Sequence, residues 1–214
     1  MSHLTRRDLT LKISGLAGAA AIAGLGLPGR AFAQGTPVEG KDYTKLKTTV
    51  NTGQPGKIEV IEFFWYNCPH CYEFEPVIEP WVTKLPPDVH FRRVPVTFDA
   101  LKNIHAQIYY TWEALGLVDQ MHTKTFARFW QQHKPINREA DMLDFAQESG
   151  LDVAKVKAAW ESFGVAAKVR QANQLQSDYG IDHMPQMAVQ GKYTTITAPF
   201  PTTDYLVNLV RKGG

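Results

Sequence analysis

The chain has 214 residues, 44% of them hydrophobic and 21% charged, enough for one substantial core and too few for two full domains. That balance excludes a disordered tail, a collagen-like fibre and a disulfide-dense miniprotein, and two cysteines allow at most one intramolecular bridge. The net charge of +2 is concentrated at the N-terminus, where Arg6, Arg7, Lys12 and Arg30 face a single Asp8; the remainder is near neutral with no basic block, so no nucleic-acid partner is expected.

Arg6, Arg7 and Lys12 precede a Gly/Ala/Leu stretch from Ile13 to Leu27, then Pro28 and Ala31-Phe32-Ala33. A basic start, a short apolar run and a small-x-small site are the parts of an export signal, with cleavage expected after Ala33. The apolar run is shorter than the roughly 20 residues that span a bilayer. Thr5-Arg6-Arg7-Asp8-Leu9 also resembles a twin-arginine signal, so the general secretory and twin-arginine routes both stay open. Residues 1–33 are therefore expected to be removed, leaving a soluble exported protein.

Ile58 to Trp65 is a β-branched and aromatic run bounded by Pro55-Gly56 and Asn67; it predicts a strand buried on both faces. Pro69 then opens a helix to about Leu85, with a kink or early break expected at Pro76 or Pro80. Val89 to Thr97 predicts a second strand, with Pro95 favouring an edge or irregular position. From Asp99 to Tyr179 the periodicity is helical. Leu101, Ile104, Ile108, Trp112 and Leu115 form one stripe, and Val118–Gln132 and Arg138–Ser149 are weaker helices. Val153, Val156, Trp160 and Phe163 form another stripe after an Asp152 cap; Val165, Val169, Ala172 and Leu175 form a third after Gly164. Gln186–Val189 and Tyr193–Thr197 predict a hairpin turning at Gln190-Gly191-Lys192. Thr202 or Thr203 caps a last helix to Arg211. The order predicts an α/β fold whose sheet is interrupted by an all-helical insertion.

Chemistry centres on Cys68-Pro69-His70-Cys71. At a strand-to-helix junction Cys68 takes the N-cap and Pro69 the first helical position. A Cys68 thiolate then faces the free N–H groups of His70 and Cys71, the helix dipole and, when protonated, the His70 imidazole; each lowers the thiol pKa. Cys71 lies one turn deeper, within disulfide reach. Stabilising the thiolate stabilises the dithiol, and so makes the disulfide an oxidant. A zinc site needs four ligands and has two thiols here, and a bridge closing so short a loop restrains the unfolded chain little. Redox chemistry without metal or cofactor is the expectation.

The segment Glu62-Phe63-Phe64-Trp65-Tyr66-Asn67-Cys68-Pro69-His70-Cys71-Tyr72-Glu73-Phe74-Glu75 closely resembles the active-site segment of the DsbA family of thiol:disulfide oxidants. That family is itself the reference case for a strongly acidic thiol at a helix start. The likeness continues through Tyr179-Gly180-Ile181, Pro185 and Gly191-Lys192-Tyr193. It implies a thioredoxin-like fold made of residues 34–97 and 180–214, with 98–179 inserted. It implies a cis Pro185 shaping a peptide groove, preceded here by Met184 where relatives more often carry Val or Thr. It further implies that Glu62 is a buried acid assisting proton transfer, for which Arg93 is a candidate partner. The implied activity is donation of the Cys68–Cys71 disulfide to unfolded exported polypeptides in the periplasm by a monomer, with reoxidation by a membrane quinone-linked partner of the DsbB type. An isomerase or reductant on the same scaffold, and a peptide-binding chaperone with a structural disulfide, are the alternatives.

Overall fold

The computed structural model describes residues 35–196 and 199–214; the expected export signal, its expected cleavage after Ala33, and Thr197 lie outside them. Five strands form one mixed sheet and seven helices pack around it: β1 Tyr43–Lys45, β2 Ile58–Phe64, α1 Pro69–Val82, β3 Val89–Pro95, α2 Ala100–Ala114, α3 Val118–Trp130, α4 Glu139–Glu148, α5 Val153–Trp160, α6 Phe163–Asp178, β4 Gln186–Val189, β5 Tyr193–Thr195 and α7 Pro199–Arg211. The sheet order is β1-β5-β4-β2-β3. Every residue of β2 is buried, Glu59 and Glu62 included, as expected of a central strand rich in β-branched and aromatic residues. It pairs in parallel with β3, placing Glu62 opposite Arg93, and antiparallel with β4. Pro95 ends β3 on the sheet edge, where no ladder donor is needed.

One core cluster joins Ile58 and Val60 to Phe74 and Ile78 of α1 and to Leu206 and Val207 of α7. The larger joins Ile61 and Phe63 to Trp112, Met121, Phe126 and Phe145 of the helical insertion. The five inserted helices therefore complete the main core instead of forming a separate one. Their attachment to the sheet is polar as well: Thr97, just past β3, donates its N–H to Gln176 Oε1 of α6 at 2.7 Å.

Several expectations change. The short β1, with Thr and Lys in its three residues, carries no hydrophobic signal and was not expected; pairing with β5 makes it a strand. Helix α1 runs through Pro76 and Pro80 as one element and ends at Val82. Both prolines are exposed while Phe74 and Ile78 are buried, so packing of the inner face outweighs the missing N–H groups. Phe163 is not core: it is 81% exposed, because Ser162 caps α6 by accepting from Val165 N–H, so the helix starts at Phe163. Leu101 is also exposed. The hairpin turn is as expected, with Gln190 and Gly191 both at positive φ, the conformation of a type I′ turn. At Gly191 a Cβ would lie 1.9 Å from the Val50 carbonyl, so only glycine fits. The last helix begins at Pro199, ahead of the expected threonine cap, with Phe200 non-helical.

Candidate active site

Strand β2 hands the chain to α1 across Trp65, Tyr66 and Asn67. Cys68 is the extended N-cap residue and Pro69 follows it in the first turn. Both cysteines are free thiols, and both are buried, while Pro69 and His70 are exposed. The Cys68 thiol falls from the ordinary value of 9.0 to about 6. Its largest cause is a hydrogen bond from Cys71, which outweighs the upward push of burial; the N–H groups of Cys71 and His70 and the charge of His70 add to it. The helix-start donors and His70 were expected from sequence; the sulfur-to-sulfur hydrogen bond was not. The His70 ring lies 3.5 Å from Glu73, on the solvent side. Cys71 is pushed strongly the other way, by burial, by the hydrogen bond it gives to Cys68 and by the charges of Cys68 and Glu62. One sulfur is thus an anion at neutral pH and its partner a firm thiol.

Beneath this pair lies a buried ionic cluster. Glu62 is fully buried; one carboxyl oxygen accepts from Arg93 Nε at 3.0 Å and the other has no hydrogen-bond partner. Burial raises Glu62 to about 8 against the opposing pull of Arg93. The same guanidinium donates to Glu79 at 2.7 Å and lies 3.7 Å from Glu75, which burial raises to about 7. Glu75 meets His122 Nε2 at 3.3 Å, and His122 Nδ1 meets the Tyr66 hydroxyl at 2.9 Å. Sequence reasoning reached Glu62 and Arg93 but missed Glu75, Tyr66 and His122. Glu75 sits one turn beyond Cys71 on the same helix, which was the available signal; His122 arrives from α3 through tertiary packing and left none.

A third wall comes from the loop before β4. The Met184–Pro185 bond is cis, and Cys68 Sγ lies 3.6 Å from the Met184 carbonyl oxygen. Met184 and Pro185 are half-buried, so main chain beside the reactive sulfur is open to a partner. His183, a loop histidine, pairs with Asp182. The insertion grips the approach to Cys68 from the other side. The Trp65 indole N–H donates to His105 at 2.6 Å, and the Trp130 indole N–H donates to the Tyr66 carbonyl at 2.9 Å. The site thus brings together Glu62, Cys68, Pro69, His70, Cys71 and Pro185.

Comparison with known proteins agrees with this geometry. A family profile described as a DSBA-like thioredoxin domain matches residues 83–206. The chain is 42% identical over 154 residues to the thiol:disulfide interchange protein DsbA of Pseudomonas aeruginosa, covering 72% of this chain and 73% of that protein. It is 43% identical over 171 residues to the protein of the same name from Azotobacter vinelandii, covering 76% and 80%. The crystal structure of Pseudomonas aeruginosa DsbA superposes with a TM-score of 0.78 at 38% identity, covering 81% of this chain and 94% of that one. DsbA from Xylella fastidiosa gives 0.79 at 26% identity, covering 83% and 100%.

Proposed function

The chain belongs to the DsbA family of thioredoxin-fold proteins, and from that premise we propose that it is a thiol:disulfide oxidase acting through Cys68 and Cys71. The observation that carries the reading is the split between the two thiols, Cys68 at about 6 and Cys71 pushed far up. A stabilised Cys68 thiolate favours the dithiol, so the bridged form gives its disulfide away readily.

In the oxidised protein a client thiolate attacks Cys68 Sγ. A client–Cys68 bond forms, the Cys68–Cys71 bond breaks, and Cys71 leaves with the electron pair. Because Cys71 is a poor thiolate, it takes a proton as it leaves, and Glu62, whose charge acts on it, supplies that proton. A second client thiolate then attacks the client sulfur of the mixed disulfide, and Cys68 departs as a stable thiolate. The client is oxidised by two electrons and the protein is reduced by two. His70 and Pro69 set the helix start; the Met184 carbonyl and Pro185 offer main-chain contacts to unfolded clients.

The export signal supports delivery to the periplasm, where exported proteins with free thiols are the substrates. A membrane quinone-linked partner of the DsbB type is the proposed reoxidant. The monomer expected from the sequence and the division into 34–97 with 180–214 and an inserted 98–179 belong to the same proposal. The test is the reduction potential of the mature protein, followed by tryptophan fluorescence in defined glutathione ratios. A value well above that of thioredoxin, about −270 mV, is expected. A value near thioredoxin's overturns the oxidase reading in favour of a reductant.

A further inference from the structure

Two buried carboxyls compete for one guanidinium beneath Cys71. Glu62 and Glu75 both lie against Arg93, whose outer nitrogen is also held by the half-exposed Glu79. Two neighbouring buried acids with one internal cation retain a proton between them, and their titrations belong to the pair. Which of the two holds the proton matters, because Glu62 is the one whose charge acts on Cys71.

The surrounding donors decide it. Each carboxyl has one buried oxygen without a hydrogen-bond partner, Glu62 Oε1 and Glu75 Oε2, so the difference lies in the donors to the other oxygens: Glu62 accepts from Arg93 Nε at 3.0 Å. Glu75 has a donor that Glu62 lacks, the His122 ring at 3.3 Å. The Tyr66 phenol, pushed up by burial, keeps its O–H; when that O–H donates to His122 Nδ1, the single ring proton of the neutral imidazole lies on Nε2, aimed at Glu75. His122 itself is fully enclosed, with burial and the Arg93 charge holding it neutral and the rings of Phe64, Tyr109 and Phe126 edge-on around it.

The geometry points to His122 as a positioning residue for thiol exchange: the Tyr66–His122 pair holds the negative charge of the two carboxyls on Glu75 and leaves their shared proton on Glu62. The helical insertion thereby takes part in the proton chemistry of a disulfide carried by the sheet domain. The ionisable groups facing this pair are Glu62 of β2, Cys68, Cys71, Glu75 and Glu79 at or on α1, Arg93 of β3, Tyr109 of α2, His122 of α3 and Tyr66 of the loop. This inference rests on the proton-transfer role proposed for Glu62 only in its kinetic consequence.

The test is carbon-13 NMR titration of the glutamate side-chain carboxyls in the full mature protein, alongside the pH profile of mixed-disulfide formation by the oxidised protein. In His122→Phe the ring packing is kept and both hydrogen bonds go. Glu75 should then titrate about one pH unit higher and Glu62 correspondingly lower, the size of one lost hydrogen bond to a charged group. His122→Gln, which can still donate to Glu75, should restore most of the wild-type titration. Tyr66→Phe should shift the carboxyls in the same direction as His122→Phe and is the second route if that variant folds poorly. Unchanged carboxyl titrations in folded His122→Phe or Tyr66→Phe overturn the assignment. Shifted carboxyls with an unshifted exchange profile uphold it and instead reject Glu62 as the proton donor.

Discussion

Cys68 and Cys71 share one helical turn and differ in acidity because one stands at the open mouth of the helix and the other inside it. Cys68 collects donors from Cys71 and His70; Cys71 is walled in and faces other negative groups. Glu62 shows the cost of serving such a pair. Its pKa in the folded chain is raised to about 8 from an ordinary 4.5, so the folded protein binds more protons than the unfolded chain between these values. Stability contributed by this group is complete below pH 4.5 and is lost as pH rises through 8. Glu62→Gln should therefore stabilise the protein by about 1–3 kcal/mol at pH 8 and by little at pH 4, while slowing thiol exchange. Urea denaturation at the two pH values measures the first effect, and equal changes at both would reject the protonation argument.

At the scale of elements, the insertion is attached where β3 ends. Gln176 of α6 accepts the Thr97 N–H, and Asn173 donates to the Thr97 hydroxyl at 3.1 Å. Gln176→Ala leaves that buried N–H without its partner and should cost about 1–3 kcal/mol, read as a lowered denaturation midpoint with an unchanged Cys68 titration. A changed titration would mean that this attachment also shapes the site. Sequence patterns captured the elements whose cause is local. β2 is rich in β-branched and aromatic residues, Asp152 caps α5 by accepting from Lys155 N–H, and Cys68-Pro69 marks its own helix start. They failed where tertiary contact decides. β1 exists because β5 lies beside it, Pro76 and Pro80 are carried by a well-packed inner face, and Phe163 lost its core place to the Ser162 cap. The active site divides in the same way. The motif was legible from spacing, Glu62 from the family resemblance, and Arg93 as its partner from the neighbouring strand. The links from Glu75 through His122 to Tyr66 and the Met184 carbonyl depend on residues far apart in the chain.

For the whole molecule, the depressed Cys68 thiol couples redox state to stability. Folding lowers its pKa from 9.0 to about 6, so the reduced protein gains stability that is fully present above pH 9 and is lost as pH falls through 6. The reduced form should be stabilised by about 2–4 kcal/mol at pH 9 relative to pH 5, a change that the bridged form lacks. Paired denaturation curves of the two redox forms across this range give the result, and parallel pH dependences would contradict it. The sheet order adds a consequence in time. β2 lies between β3, which follows it closely in the chain, and β4, which arrives only after all five inserted helices; the carbonyl facing Cys68 belongs to Met184. As the polypeptide is made from its N-terminus, both cysteines emerge long before the wall that shields them. Until that late segment is synthesised, Cys68 has no Met184 carbonyl beside it, and the two thiols stand without the wall that the finished fold supplies.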